Sequence, residues 1–454
     1  MNHFFESVHP FDGRTLERYA VDTSQQLEGK IQTSETVFQD WRKKSWLDKT
    51  HKFNTLADLL TVNEEKLAQL ITLEMGKTIR ESRAEVAKCV QMIRYYTIHA
   101  EEVLQATHVQ TQAFSSHINY APLGVIFAIM PWNFPLWQAL RFAVPTMLAG
   151  NTVLLKPAPN VCGSALALQD LMNEAGLDGV YQTILIDIPA IESVIANPAV
   201  HGVTLTGSNR AGASVAALAG KYVKKSVLEL GGSDPFVVFK DANIAVAAQA
   251  AVTSRFQNAG QTCIAAKRWI IAEEVKEAFL EEVLRKAKEI RLGNPLDEQT
   301  TMGPLARPDL AANLSRQWHE SKLSGAIELL GGEARFCQFE PVILEVKEPS
   351  NIAFQEEFFG PIATVISFKT EKEGITLANN TQFGLGASIW TADLEKAKTI
   401  APTLEAGVVA VNQLVKSDVH LPFGGVKQSG YGRELGVYGL REFTNVQSVW
   451  IEQS

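Results

Sequence analysis

Cysteine is scarce in this chain. Four occur in 454 residues, Cys89, Cys162, Cys263 and Cys337, with no CxxC pair and no Cys–His ligand spacing. That argues against a disulfide framework and a structural zinc site, so no metal is expected, and it fits a reducing compartment. Clustered basic residues are also missing and the net charge is −8, which argues against a nucleic-acid partner. The first twenty residues lack the basic start and apolar run of a secretory signal, and Glu6, Asp12 and Glu17 count against a transit peptide. Residues 122–155 are nearly all apolar, yet Asn133, Gln138, Arg141 and the prolines at 131, 135 and 145 break every window of membrane-spanning length. A buried strand followed by a buried helix is the expectation there, and the protein is expected to be cytoplasmic, with no membrane partner. GxGxxG is absent, as are internal repeats and low-complexity linkers.

What is present describes a folded α/β protein. Hydrophobic residues make up 46 % and charged residues 20 %, and the length calls for two or three domains. Residues 24–106 read as helices, with Phe53, Leu56, Leu59 and Leu60 at helical spacing. Beyond residue 117, short β-rich runs alternate with helical ones: "GVIFAIM", "NTVLLKP", "YQTILID", "HGVTLTGS" and "SVLELGG". A second series follows, with "RWIIAEE", "ATVISFK", "GASIWTA" and "GVVAVN". Doubly buried strands separated by helices predict parallel sheets wound on both faces. The two units meet near residue 230.

Within this frame four stretches could carry chemistry. "FQNAGQTC" delivers Cys263 after small and polar residues, a loop rather than a core setting. "TGSNRAG" turns from a strand into a helix, where Gly207 and Ser208 either hold a phosphate on free N–H groups or simply cap the helix. Glu229 closes an apolar strand before Gly231-Gly232. It reads either as a general base with a raised pKa or as a carboxylate paired with a distant cation. Asn133, held between Trp132 and Phe134 in "PWNFP", is either an oxyanion donor on a stiff loop or a turn asparagine.

Together with "KPA" (156–158), "EEFFGP" (356–361) and "LPFGGVKQSGYGRELG" (421–436), in this order, these stretches resemble the aldehyde dehydrogenase superfamily from about residue 30 to the C-terminus. The resemblance implies an aldehyde dehydrogenase fold: two doubly wound α/β domains plus a small β-arm for oligomerisation. Residues 1–110 and 122–229 would form the dinucleotide-binding domain, 230–430 the catalytic domain, and 111–121 with 431–454 the arm of a homodimer or homotetramer. Cys263 would be the nucleophile, Asn133 an oxyanion donor and Glu229 the base for hydrolysis. Lys156, Gly207, Ser208, Trp132, Glu357 and Phe359 would border the cofactor.

Three departures refine this expectation. Where NAD-preferring members often carry a glutamate, Pro159 stands here, so NADP is expected to be accepted and preferred over NAD. Arg141, eight residues after Asn133, and Ser417 match groups that hold the distal carboxylate in members acting on succinic semialdehyde, with Trp137 as an apolar wall. A further arginine common in those members is replaced by Gln257. The expected reaction is oxidation of succinic semialdehyde to succinate, with glutarate semialdehyde or an uncharged aliphatic aldehyde as the alternative. A non-catalytic relative of the fold is the remaining class. Ala265 replaces a second cysteine of some relatives, so their regulatory disulfide is not expected.

Overall fold

The computed structural model describes residues 4–453. Four helices open the chain after a short hairpin: Ser24–Trp41, Trp46–Val62, Glu64–Met75 and Ile79–Leu104. Their starts are written in the sequence. Thr23 with Gln26, and Thr78 with Glu81, form reciprocal capping boxes, while Ser45 caps through the Asp48 N–H. Phe53, Leu56 and Leu60 are fully buried, whereas Leu59 lies at the edge of that face. The hairpin Phe4–Val8/Thr15–Ala20 was not anticipated. Its buried positions are Phe5 and Ser7, and Ser7 bonds Glu74 and the Asn160 carbonyl, so a polar residue hides the alternation.

The first sheet runs, edge to edge, Gly430–Tyr431, Lys225–Glu229, Val200–Thr206, Val125–Ile129, Thr152–Lys156 and Tyr181–Thr183. Alternate side chains of the central strand part to opposite faces. Ile126 and Ala128 join the core under helices 79–104 and 135–148, while Val125 and Phe127 join the core that contains Leu27, Ile31 and Val215. Burial on both faces explains why these strands read as continuous apolar runs. The apolar stretch 122–155 resolves into two such strands flanking the Pro135–Leu148 helix, every residue of which is buried. Among the described residues no helix is long and apolar enough to cross a membrane.

Only four residues, 230–233, lead from Glu229 into the second sheet. Its order is Ile327–Leu330, Val342–Glu345, Ile362–Phe368, Ala266–Ala272, Asp234–Val238, Gly386–Trp390 and Val408–Val411. Neither sheet is purely parallel. Ile327–Leu330 and Gly430–Tyr431 are antiparallel edge strands. The first reaches its neighbour through a short hairpin excursion, too short for the crossover a parallel pairing needs, and the second returns to the first sheet after the whole second unit. Ser115–Pro122 and Thr444–Ile451 pair antiparallel over their full lengths, with Thr107–His108 on the outer side, in a separate three-stranded sheet.

One buried carboxylate ties the helical layer to the loops above the first sheet. Glu85 accepts the N–H groups of Leu136 and Trp137 at 2.9 Å and pairs with Lys77 at 2.6 Å. It thereby caps the Pro135–Leu148 helix, whose first residue is a proline preset for that position. Lys77→Met would leave Glu85 buried without its cation. Stability should fall by about 3–5 kcal/mol, visible as an earlier midpoint in urea unfolding; an unmoved midpoint would mean that the helix N–H groups suffice.

Candidate active site

The chain lays the Val125–Ile129 strand first, adds two strands on one side, then crosses back to add two on the other. This reversal opens a crevice at the carboxyl ends of the strands. Four of the predicted stretches sit there: the loop with Trp132 and Asn133 after residue 129, Lys156 at the end of its strand, Gly207-Ser208 after Thr206, and Glu229. The Gly207 N–H donates to the Glu229 carbonyl at 2.9 Å. Ser208 caps the Asn209–Lys221 helix through the Ala211 N–H, so both alternatives for this turn remain compatible with one geometry. Lys156 is buried, and desolvation lowers its pKa. Pro159 is exposed at the start of a 3-10 turn.

Cys263 lies on the loop between the Ile244–Phe256 helix and the Ala266–Ala272 strand. Asn258, Ala259 and Gly260 in succession have φ of 53, 51 and 72°, a left-handed run that is costly for the two non-glycine residues. Buried hydrogen bonds hold it. Arg255 donates to the carbonyls of Gly260, Phe358 and Gly360. Asn133 Nδ2 donates to the Gln261 carbonyl at 3.0 Å, and Asn258 Nδ2 returns a bond to the Asn133 carbonyl at 3.0 Å. One Asn133 amide hydrogen is thus spent on the loop and the second is left for another acceptor. Lys267 Nζ donates to the Cys263 carbonyl at 2.7 Å and lies 3.3 Å from Glu357.

The glycine pair after Glu229 is required by close approach. A Cβ at 231 would fall 2.2 Å from Glu357 Oε2, and one at 232 would fall 2.7 Å from the Cys263 carbonyl oxygen. Glu357 also accepts the Gly232 N–H at 3.0 Å. Phe359 and Trp132 meet edge to face, with centroids 5.8 Å apart.

Charge around Glu229 is arranged unusually. Burial, reinforced by Glu434, lifts its carboxyl to about 8, against the pull of Arg141 and Arg433. Glu434 itself is raised by burial and forms a buried ion pair with Arg141. The distant-cation alternative for Glu229 is not what is found: neither carboxylate oxygen has a hydrogen-bond partner among the described residues. Burial pushes the Cys263 thiol up to about 12, with Arg141 and Lys267 opposing and Glu229 and Asp234 adding to the rise. As pH rises, Glu229 therefore ionises before Cys263, so a carboxylate base is available while the sulfur is still a thiol whose proton must be removed.

Trp137, Arg141, Gln257 and Ser417 line one cleft of ≈ 220 Å³ with Cys263. Gln257 is exposed at its edge. Arg255, two residues earlier, is buried away from the cleft with its Nη2 on backbone carbonyls and does not replace the missing arginine. Sequence reasoning passed over three groups. Glu434 lay unremarked in the quoted C-terminal block, Lys267 in an apolar strand, and Lys88 on a helix whose charges read as a solvated face. Only the last borders the cleft.

The chain belongs to the aldehyde dehydrogenase family, whose model matches residues 2–449. It is 42 % identical, over 98 % of its length and 97 % of the relative's, to the succinate semialdehyde dehydrogenase [NAD(P)+] Sad of Escherichia coli K12. It is 41 % identical to a probable succinate-semialdehyde dehydrogenase [NADP(+)] of Synechocystis, over 98 % of this chain and 99 % of that one. The crystal structure of succinic semialdehyde dehydrogenase from Streptococcus pyogenes, in complex with NADP+, superposes with a TM-score of 0.97 at 33 % identity, covering 99 % of this chain and 100 % of that one.

Gly232→Ala tests the approach of the two sheets at the nucleophile. Its Cβ would meet main-chain oxygen, so the Cys263 loop must shift. Steady-state kcat/KM should fall about 100-fold while the far-UV spectrum is retained. A variant with full activity would show that the link is not constrained there.

Proposed function

We propose that this protein oxidises succinic semialdehyde to succinate, with NADP preferred over NAD. The observation that carries the reading is the placement of Arg141 and Ser417 in one small cleft with Cys263; the names of the relatives agree with it. Cys263 gives its thiol proton to the ionised Glu229 carboxylate, and the resulting thiolate attacks the aldehyde carbon to form a thiohemiacetal. Asn133's free amide hydrogen and the Cys263 N–H receive the oxyanion, where charge develops. When bound, the nicotinamide supplies the acceptor for the hydride that leaves this carbon. Glu229 then takes a proton from water as that water attacks the resulting Cys263 thioester, releasing the acid.

Lys156, Gly207, Ser208, Trp132, Glu357 and Phe359 would hold the dinucleotide. The fit rests on the carboxyl ends of the first sheet's strands, which bring together a buried lysine and a glycine turn at a helix start, and on the paired rings of Trp132 and Phe359. Pro159 leaves no carboxylate there to repel a 2′-phosphate, and Lys156 adds attraction. The three-stranded sheet, with Val446, Trp450 and Ile451 exposed, is the arm through which two or four copies would assemble.

Four measurements test this reading. The acid should be preferred over butanal by about tenfold or more in kcat/KM; near-equal values would remove the substrate while leaving the chemistry. Pro159→Glu should lower the NADP-to-NAD ratio of kcat/KM by at least about tenfold, and an unchanged ratio would mean that position 159 does not select the cofactor. Glu229→Gln should release about one reduced cofactor per site and then stall. In the wild type, thioester hydrolysis should rise with pH to a plateau above about 8, because the base acts only when ionised and its folded pKa is raised; a rate that is flat through that range would exclude Glu229 as the base.

A further inference from the structure

Two carboxylates and three cations border the cleft beside Cys263, and nearly all are engaged or turned outward. Glu85 is occupied by Lys77 and the helix N–H groups. Glu81 accepts the Thr78 N–H, the Thr78 hydroxyl and the Asn258 N–H. Arg141 is paired with Glu434, and Lys416 is exposed. Lys88 differs. Among the described residues it has no carboxylate partner; its Nζ donates to Ser417 Oγ at 2.8 Å and lies 4.0 Å from the centre of the Trp137 ring.

An ammonium has three N–H donors and this one spends a single donor on Ser417, so two remain. Ser417, by accepting from Lys88, keeps its own hydroxyl hydrogen for an acceptor. Two neighbouring donors, one charged, thus border an apolar-walled cleft without an anion to bind. A ligand carboxylate satisfies both.

We infer that Lys88 binds the distal carboxylate of the substrate aldehyde, with Ser417 and Arg141, and is the cation that selects acidic over uncharged aldehydes. The inference rests on the reading of the site as one for a semialdehyde acid and names the residue that makes it so. It also accounts for Gln257: the second positive charge comes from the Ile79–Leu104 helix instead of the nucleophile loop.

The charge on Lys88 is tunable. Burial brings it down to about 8, with Arg141 adding repulsion and Cys89, Glu85 and Asp418 opposing. The groups around it are Glu81, Glu85 and Cys89 on its own helix, Arg141 on the next, Lys416 and Asp418 on the strap bearing Ser417, and Cys263. A folded pKa below that of free lysine means the charge is full well below about 8 and lost above it. Selection for the acid should therefore weaken between pH of about 7 and about 9. Taking the ratio of acid to butanal cancels the titration of Cys263 and Glu229, which serve both substrates.

The experiment measures kcat/KM for succinic semialdehyde and butanal, with the full-length wild type, Lys88→Met and Lys88→Arg, at both pH values. The wild type should favour the acid at the lower pH. Lys88→Met should cut that ratio by about 10- to 100-fold, chiefly through KM for the acid. Lys88→Arg should keep most of the ratio and lose its decline at the higher pH. A wild-type ratio near one overturns the substrate reading itself. A clear wild-type preference that Lys88→Met leaves within about threefold overturns the Lys88 assignment alone. Should the methionine variant not fold, an equal decline with pH in wild type and Lys88→Arg overturns it as well.

Discussion

The site depends on how closely two sheets approach across the link 230–233. Glu229 ends a strand of one sheet and Asp234 begins a strand of the other, with four residues of backbone between them. Gly231 and Gly232 lie against Glu357 and the Cys263 carbonyl with no room for a Cβ. A side chain at 232 would push the Cys263 loop away from the first sheet, and one at 231 would displace the Glu357 carboxylate. The loop that carries Cys263 is therefore set by a contact between main chains at Gly232, and the carboxylate of Glu357 by its place against Gly231 and the Gly232 N–H.

Around that contact the protein spends cations on carbonyl groups. Arg255 is committed to three carbonyls, Lys267 to those of Thr262 and Cys263, and Arg268 to those of Ser233, Leu377 and Ala378. Of these, the Arg255 bond to Gly260 reaches the left-handed run that its own backbone disfavours, and the Lys267 bonds fix the residues that follow it. The same burial shapes ionisation. Glu229 and Glu434 are both raised by desolvation, and Arg141 answers chiefly to Glu434. A single arginine already paired inside the protein has less charge to offer a ligand, which is why the unpaired ammonium of Lys88 matters beside it.

Most of the architecture was legible in the sequence. Strands buried on both faces appear as short apolar runs, and strands separated by helices define doubly wound sheets. The pairing of 115–122 with 444–451 was half legible: both read as β-runs outside the sheets, but no local pattern joins residues more than three hundred positions apart. The antiparallel edge strands and the N-terminal hairpin escaped, because short edge strands make few apolar contacts and Ser7 occupies a buried slot through hydrogen bonds instead.

At the site, the division is sharper. The sequence alone marked the candidate reacting groups: Cys263 in a loop of small residues, Glu229 where an unpaired carboxylate is costly, and Asn133 between aromatic residues on a stiff turn. Local chemistry marks such residues because each is out of place in the element around it. Tertiary structure alone decided which charges remain free. Lys88 and Arg141 sit on different helices, Ser417 and Glu434 on distant segments, and nothing in their neighbours states that Arg141 will pair with Glu434 while the Lys88 ammonium bonds a serine and lies against an indole. A charge is spent or spared according to what packs against it in space, and that is a property of the fold, not of the neighbouring sequence.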